Sequence, residues 1–306
     1  MRRQISAALA ALVLGASALV AASSPAAAAT APPKVLVLGD SYTAGNGAWN
    51  PTTGARTYED LICWRSPYNY GQQFATAIGA AYKNSACSGA VIANLTGPQG
   101  IQPAQINAVD TTADVVVLTI GGNDLGFATI VENCFAYPWS TGASCKSTIE
   151  AAQAKLPAME QNAYAALAAV RAKMRPNARL VYVGYPDPIV NSSYVWTVNG
   201  AKWDMVPPLR KLMTDGEAAQ KRIVDKLNAN ASCQGSSSFL SVKTTFAGHG
   251  VDLNSWTATS AEWLHRISTG TYVMESYHPK PAGWGAEATL LTNTYRTSLT
   301  GSLSCT

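Results

Sequence analysis

The stretch Lys34-Val35-Leu36-Val37-Leu38-Gly39-Asp40-Ser41-Tyr42 carries the strongest fold signal in the chain. Its apolar run is typical of a short strand that is buried on both faces of a parallel sheet. Gly39 ends the run, and the polar pair Asp40-Ser41 follows directly. Because α/β proteins bind ligands beyond the carboxyl ends of their parallel strands, this pair is a first candidate for a functional site.

Two more apolar runs, at residues 115–120 and 180–185, predict buried strands of the same kind. Helical patterns lie between and after these runs, at residues 70–78, 147–173, 209–227 and 286–299. Pro157 is expected to break or kink the second of these helices. Strands that alternate with helices predict an α/β fold, a three-layer α/β/α sandwich around a mostly parallel sheet.

The amino-terminal segment has the pattern of a secretory signal peptide. Arg2 and Arg3 precede an almost wholly apolar run at residues 5–20, and the segment ends Ala27-Ala28-Ala29. The run is short for a membrane span and has no basic stop-transfer flank, so a stable membrane anchor is not expected. We therefore predict a signal peptide at residues 1–29 and a secreted, extracellular domain at residues 30–306. The export route, Sec or Tat, stays open.

Charge and glycine patterns argue against several classes of protein. The net charge at neutral pH is +4, and the lysines and arginines are scattered, without a basic run that would follow a nucleic acid. No Gly-Lys-Ser/Thr follows the first strand and no Gly-x-Gly-x-x-Gly is present, which argues against a protein that handles phosphates or dinucleotides. We expect no cofactor and no nucleic-acid partner.

The six cysteines of an exported chain predict three disulfides. Their spacing alone leaves 15 pairings open. Our expectation is that consecutive cysteines pair, as Cys63–Cys87, Cys134–Cys145 and Cys233–Cys305. No Cys-x-x-Cys or paired Cys/His spacing occurs, so no metal site is expected.

Ser41 is a candidate nucleophile, because a serine at a strand-to-helix turn presents its hydroxyl at the edge of the sheet, with its own N–H near a helix start. The alternative is that Asp40 or Ser41 only caps the next helix.

In Gly121-Gly122-Asn123-Asp124, the Asn123 amide is a neutral donor that suits an oxyanion, although these residue types are also typical of a simple turn. Gly89 offers a backbone N–H without a side chain to block approach. We assign Asp40 and Asp124 to structural roles, holding the two loops through backbone hydrogen bonds.

The chain has three histidines, so a histidine base for Ser41 is His249, His265 or His278. His265 is expected to be a partly exposed packing residue. His249 lies between two glycines and suits a structural or cleft-lining role. His278 precedes Pro279, which restricts the local backbone before the last helix.

These motifs resemble, in order and approximate spacing, those of the SGNH, or GDSL, hydrolase family: Gly39-Asp40-Ser41-Tyr42, Gly89, Gly121-Gly122-Asn123-Asp124 and His278-Pro279. The six cysteines are further similar to those of its secreted bacterial lipases and esterases. The resemblance implies a flavodoxin-like fold with a five-stranded parallel sheet. It also implies Ser41 as nucleophile, His278 as general base, and an oxyanion hole made of the Ser41 N–H, the Gly89 N–H and the Asn123 amide.

One departure from the family pattern concerns the third catalytic group. The family usually has aspartate three residues before the histidine, whereas this chain has Glu275 there. Glutamate is a methylene longer, and the main-chain carbonyl of Ser276 is an equal candidate for orienting the ring of His278.

The residues and the resemblance together predict a monomeric, secreted serine carboxylic ester hydrolase. It is expected to be a lipase or esterase that acts through an acyl-serine intermediate on lipid or other acyl esters. The alternatives are a phospholipase or a polysaccharide O-deacetylase of the same fold, which the shape of the substrate groove distinguishes. A noncatalytic binding module is expected to lack Ser41 or His278, and both are present.

Overall fold

The computed structural model of the protein describes residues 32–136, 140–300, 303 and 305. The signal peptide expected at residues 1–29 lies outside the described residues. Among the helices that are described, none is both long and apolar enough to cross a membrane.

Five parallel strands form the central sheet, and two more form a small antiparallel hairpin. In chain order the strands are β1 (Lys34–Gly39), β2 (Ala81–Asn84), β3 (Val115–Thr119), β4 (Arg179–Val183), β5 (Val195–Val198), β6 (Ala201–Asp204) and β7 (Ser237–Leu240). The sheet has the order β2-β1-β3-β4-β7, and every neighbouring pair is parallel. The prediction of a mostly parallel five-stranded sheet is confirmed, and the hairpin β5–β6 stands apart from it.

The four longest of the described helices pack in two pairs against this sheet. The eight described α-helices are α1 (Ser41–Ala44), α2 (Tyr70–Ala77), α3 (Ala93–Thr96), α4 (Gly122–Leu125), α5 (Phe127–Ile130), α6 (Gly142–Lys173), α7 (Val206–Ala229) and α8 (Pro281–Thr294). Short 3₁₀ or π turns lie at Gln105–Ala108, Val131–Phe135, Gly270–Glu275 and Tyr295–Leu299. Helix α2 packs on α8, and α6 packs on α7. The sheet between the pairs makes the three-layer sandwich that the sequence predicted.

The composition of the strands follows from their place in the sheet. Every residue of β3 and of β4 is buried, because helices cover both faces of the central strands. Such strands read as continuous apolar runs rather than as an alternating pattern. Strand β2 lies at one edge of the sheet, where its residues alternate between exposed and half-buried positions.

Two helix predictions need correction. Of the two effects predicted for Pro157, the break is wrong, since α6 continues through it from Gly142 to Lys173, and the kink stays a prediction. The ring of Pro157 is on the exposed side, where water can solvate the carbonyl that loses its hydrogen bond. The last helix begins at Pro281 rather than at residue 286, because proline is well suited to the first turn, where its missing N–H has no partner to lose.

The strand order brings three chain segments together at the carboxyl ends of adjacent strands. β1 lies between β2 and β3, and the connection that leaves β1 runs to β2 on one side, whereas the connection that leaves β3 runs to β4 on the other. This is the topological switch point at which open α/β sheets bind ligands. Ser41 follows β1, Gly89 lies in the segment after β2, and Asn123 follows β3. The three candidates therefore lie on adjacent strand ends.

Three disulfides join consecutive cysteines along the chain, as Cys63–Cys87, Cys134–Cys145 and Cys233–Cys305. The first ties the loop before α2 to the segment after β2, two residues before Gly89. A covalent bond at this point restrains the backbone that carries the Gly89 N–H.

Candidate active site

The turn from β1 into α1 presents the hydroxyl of Ser41. Gly39 has a φ of +115°, and a Cβ there would lie 2.2 Å from the carbonyl oxygen of Thr119, so only glycine allows β1 to end this close to β3. Asp40 is the N-cap of α1, because its Oδ1 accepts a hydrogen bond of 2.9 Å from the Tyr42 N–H. Since Asp40 caps the helix, the side chain of Ser41 is left for another contact.

That contact is with His278, which lies 237 residues further along the chain. Its Nε2 lies 2.6 Å from Ser41 Oγ, and its Nδ1 lies 3.0 Å from the main-chain oxygen of Ser276. A carbonyl oxygen can only accept a hydrogen bond, so Nδ1 carries the ring proton. Nε2 is then the unprotonated nitrogen and accepts the hydrogen bond from the Ser41 hydroxyl.

Burial sets the protonation state of the imidazole. Both Ser41 and His278 are buried. Loss of solvation lowers the pKa of His278 to about 3, and the hydrogen bond to Ser276 opposes this only in part. The ring is therefore neutral at neutral pH, which is the form in which it can accept a proton.

A tight turn, residues 275–278, aims the Ser276 carbonyl at the ring. The His278 N–H donates to the Glu275 carbonyl at 3.0 Å, which closes the turn. Ser276 has φ −56° and ψ 126°, and Tyr277 has φ +61°. These angles are those of a type II turn, whose second central residue is usually glycine. Tyr277 is held in the left-handed region by its surroundings, because its carbonyl accepts from the Tyr42 hydroxyl and its ring stacks on Phe135.

The carboxylate of Glu275 is occupied away from His278. Glu275 is fully buried and accepts hydrogen bonds from the Tyr58 hydroxyl at 2.8 Å, the Trp49 Nε1–H at 3.1 Å and the Arg56 Nε–H at 3.2 Å. The guanidinium of Arg56 lies between the rings of Trp49 and Tyr272, 4.2 Å from each centroid. Of the two groups that the sequence left open, the structure brings the Ser276 carbonyl to the imidazole and gives Glu275 to this cluster.

Three hydrogen-bond donors, from Ser41, Gly89 and Asn123, lie on the segments that follow β1, β2 and β3. The Asn123 amide donates one hydrogen to the Ala90 carbonyl at 2.9 Å, which leaves its second hydrogen available. The segment that carries Gly89 is tied to the first strand, because the Cys87 N–H donates to the Gly39 carbonyl at 3.0 Å. Within the described part of the chain, the N–H groups of Ser41 and Gly89 have no protein acceptor. These three hydrogens are therefore left for an acceptor outside the protein.

The two aspartates hold the loops that carry these donors. Asp124 accepts from the Ile92 N–H at 3.0 Å, and Asp40 accepts from the Tyr185 hydroxyl. That hydroxyl also accepts from the Gly122 N–H at 2.9 Å, so Tyr185 links the ends of β1 and β3. Burial raises the pKa of Asp40 to about 7, and its hydrogen bonds with Tyr185 and Tyr42 oppose the shift.

The other two histidines lie elsewhere. His265 is only 7% exposed, so the expectation of a partly exposed residue is wrong. Its Nε2 lies 3.1 Å from the Gly47 carbonyl, and its ring packs on Trp49. His249 stacks on Trp263 with a centroid separation of 3.5 Å, and its Nδ1 lies 2.6 Å from the Ala261 carbonyl.

An apolar groove lies beside the site. It begins at Tyr42 and at Gly122, the neighbours in sequence of Ser41 and Asn123. Its walls come mainly from α4, α5, α6 and α7, and include Leu125, Phe127, Ile130, Met159, Leu212 and Met213. Its lining is mostly apolar, which suits a hydrocarbon group.

Sequence reasoning missed several residues that build this site. Tyr185 and Gln105 support the end of β1, the latter by accepting from the Gly39 N–H at 2.6 Å. Asn46 bridges the Ser88 hydroxyl and the Met274 carbonyl. Tyrosine at the end of a predicted strand was a signal for Tyr185. Gln105 and Asn46 had no signal, because their partners are distant in sequence.

The sequence and the structure are similar to those of known proteins. A sequence model of the GDSL-like lipase/acylhydrolase family matches residues 37–284. A lipase of Streptomyces rimosus is 30% identical over 256 residues, which are 81% of each chain. Lipase 1 of Streptomyces coelicolor is 29% identical over 285 residues, 90% of this chain and 92% of the relative.

Two solved structures are similar over most of their length. The extracellular lipase of Streptomyces rimosus has 26% identity and a TM-score of 0.63, covering 85% of this chain and 99% of that chain. A phospholipase A1 of Streptomyces albidoflavus has 24% identity and a TM-score of 0.65, covering 86% and 99%. The second likeness concerns the fold alone.

Proposed function

Because the chain belongs to the GDSL-like lipase/acylhydrolase family and is a carboxylic ester hydrolase, we propose that it cleaves lipid acyl esters through an acyl-enzyme on Ser41. The observation that carries the proposal is the distance of 2.6 Å between Ser41 Oγ and Nε2 of His278. Together with the tether of Nδ1 to Ser276, it supports the roles of nucleophile and base.

In the first half of the reaction, Ser41 Oγ attacks the ester carbonyl carbon while Nε2 of His278 takes the hydroxyl proton. The carbonyl oxygen becomes an oxyanion, which the Ser41 N–H, the Gly89 N–H and the Asn123 amide stabilise. The tetrahedral intermediate collapses when the bond to the alcohol oxygen breaks. His278 gives its proton to the departing alcohol, and the acyl group stays on Ser41.

In the second half, a water molecule attacks the acyl-serine carbonyl and His278 takes one of its protons. The same three donors hold the oxyanion, the bond to Ser41 Oγ breaks, and His278 returns the proton to that oxygen. The fatty acid leaves and the neutral imidazole is restored. The Ser276 carbonyl keeps the ring oriented throughout, since it accepts from Nδ1 in both protonation states.

The apolar groove supports a fatty acyl chain as the part of the substrate that is recognised. Its lining of leucine, phenylalanine and methionine favours hydrocarbon, whereas a sugar polymer needs hydrogen-bonding partners along a cleft. The relatives from Streptomyces rimosus and Streptomyces coelicolor are lipases. Phospholipids are acyl esters too, and they remain within the proposed substrate class.

We further propose that the enzyme is exported and acts as a monomer. All six cysteines are paired, which is typical of proteins that fold in an oxidising compartment. The signal peptide proposed at residues 1–29 is tested by the first residue of the protein in the culture medium. We expect that residue to lie near Thr30, and analytical ultracentrifugation to give the mass of one chain.

The test of the catalytic roles uses p-nitrophenyl butyrate as a soluble ester. Ser41→Ala and His278→Ala should each lower kcat by about 10⁴-fold or more and leave the circular dichroism spectrum unchanged. A serine-reactive organophosphate should add one equivalent of mass, located on Ser41 by peptide mapping. Full activity of Ser41→Ala would refute the proposal.

The substrate class is tested with a panel of p-nitrophenyl esters from acetyl to palmitoyl, a phosphatidylcholine and an acetylated xylan. Hydrolysis that rises with chain length supports a lipid substrate. A preference for acetylated xylan over every fatty acyl ester contradicts it.

A further inference from the structure

Large apolar side chains are exposed in one region beside the candidate active site. Of the eight large apolar residues that are exposed in the described part of the chain, six come from three loops. Their exposed fractions range from 37% to 83%. We name this set the apolar rim: Leu61, Ile62, Ile101, Tyr272, Val273 and Met274.

The three loops of the apolar rim are joined by hydrogen bonds to one pair of residues, Ser88 and Asn46. Ser88 donates its N–H to the Cys63 carbonyl at 3.0 Å and accepts from Gln99 Nε2 at 2.8 Å. Asn46 Nδ2 bonds both the Ser88 hydroxyl at 3.0 Å and the Met274 carbonyl at 2.8 Å. Each loop is therefore anchored within two residues of its exposed apolar side chains.

Ser88, and Met274 to which Asn46 is bonded, also lie next to two groups of the proposed mechanism in the chain. Ser88 precedes Gly89, whose N–H is one of the proposed oxyanion donors. Met274 is followed by Glu275 and by Ser276, whose carbonyl holds the imidazole. The apolar rim therefore lies beside the segments that carry these two groups.

The loops of the apolar rim contain few charged residues, and Arg56, whose guanidinium lies 4.2 Å from the Tyr272 ring, is paired with Glu275. No charged residue occurs at residues 84–109 or at residues 267–274. The first loop, which carries Leu61 and Ile62, is flanked by Asp60 and Arg65, which form an ion pair with each other at 3.1 Å. Because burying an unpaired charge is costly, a surface without one can enter a low-dielectric medium cheaply.

The loops of the apolar rim are restrained, so their side chains stay exposed. The Cys63–Cys87 disulfide fixes the first loop. Gln99 and Gln102 exchange two backbone hydrogen bonds, of 3.0 and 2.9 Å, around the tip that carries Ile101. Contiguous exposed apolar surface on a soluble protein marks an interaction site.

We propose that the apolar rim docks the enzyme on the surface of aggregated lipid, with its side chains among the acyl chains. An ester then passes from the lipid to Ser41 without crossing water. The occupant is a lipid surface because the six rim side chains are apolar and their loops are bonded to the segments that carry Gly89 and Ser276, which belong to a site proposed for acyl esters. The inference rests on the proposed function for its substrate, but docking itself needs no turnover.

The test measures binding of the full-length mature protein to phosphatidylcholine vesicles by co-sedimentation. All proteins carry Ser41→Ala so that the lipid stays intact. Phosphatidylcholine has no net charge, so binding should persist at high salt. Ile62→Ser combined with Ile101→Ser should lower the partition coefficient about 100-fold or more, since burial of each isoleucine contributes roughly tenfold. A second variant, Val273→Ser, should lower it about tenfold.

The matched control is Val195→Ser, which changes a side chain with 52% exposure in the hairpin β5–β6, outside the apolar rim. It should bind like the parent within about twofold, because surface substitutions have small effects. In proteins with Ser41 restored, hydrolysis of monomeric p-nitrophenyl acetate should be unchanged by the rim substitutions, whereas hydrolysis of emulsified ester should fall.

Rim variants that partition like the parent overturn the inference and leave the proposed function standing. A dimer that becomes monomeric on Ile62→Ser and Ile101→Ser substitution also overturns it, since the apolar rim is then a self-association surface. Full hydrolysis of p-nitrophenyl acetate by Ser41→Ala refutes the proposed function, and the vesicle measurement remains independent of that result.

Discussion

The main-chain oxygen of Ser276 lies 3.0 Å from Nδ1 of His278. This contact assigns the ring proton and aims the lone pair of Nε2 at Ser41. In the proposed mechanism this carbonyl takes the orienting role of the third group of a catalytic triad, but it lacks the negative charge that a carboxylate supplies to the imidazolium. The carboxylate nearest in sequence, Glu275, instead fixes the turn from which the carbonyl projects.

Replacement of the Glu275 carboxylate distinguishes positioning from charge stabilisation. Glu275→Gln keeps the shape and the acceptor oxygen, so kcat on a soluble ester should stay within about tenfold of the parent, compared with about 10⁴-fold for loss of a triad aspartate. The melting temperature should fall, because Arg56 loses its buried anionic partner. The measurements are steady-state kinetics and thermal unfolding.

Arg56→Gln is the matched control for that experiment. It removes the same ion pair from its other end, so it should lower the melting temperature with a similarly small change in kcat. A loss of kcat in Glu275→Gln near that of His278→Ala would show that the carboxylate acts on the imidazole directly.

The pH dependence of hydrolysis should reflect the buried imidazole. Burial lowers the pKa of His278 to about 3, so the neutral base is present well below the value of about 6.5 for a free histidine. We expect kcat/KM on a soluble ester to keep its plateau down to a pH below 6.5. An acid limb with its midpoint at or above 6.5 would contradict this.

The same shift predicts a change of stability with pH. A histidine whose pKa is lower in the folded state binds its proton more readily when unfolded, so its contribution to stability falls as the pH drops below about 6.5. His278→Ala should therefore lose less stability than the parent between neutral pH and pH 4. Urea unfolding at several pH values gives this comparison.

Removal of an oxyanion donor should affect the chemical step more than binding. Asn123→Ala should lower kcat by about 10²–10³-fold with a modest change in KM. Asn133→Ala is the control, because it removes an asparagine whose Nδ2 bonds Thr148 outside the site at 2.8 Å. Equal kinetics of the two variants would remove Asn123 from the mechanism.

Filling the apolar groove should shift the preference for chain length. Gly216 lines the groove on α7, and a Cβ there would meet Leu156 only at an ordinary contact of 3.9 Å. Gly216→Leu should lower kcat/KM for octanoyl esters by roughly tenfold or more and leave acetyl esters unchanged. Gly216→Ala controls for the helix substitution. Equal losses for both esters would place the acyl chain elsewhere.

The central strands could be predicted from the sequence, whereas the edge strand β7 and the hairpin β5–β6 could not. Strands β1, β3 and β4 are covered on both faces and appear as continuous apolar runs. Strand β7 begins with two serines at one edge of the sheet, and the hairpin β5–β6 lies outside it. Their short, mixed sequences carry no periodic signal, because only part of each is buried.

The sequence by itself determined the fold class and the family, because the apolar runs and the motifs at their ends are local patterns. It also named Ser41, Gly89, Asn123 and His278 as candidates. The choice between Glu275 and the Ser276 carbonyl depended on the tertiary structure. That choice follows from the positive φ of Tyr277 and from an arginine 219 residues before Glu275, and contacts between distant segments leave no local trace in a sequence.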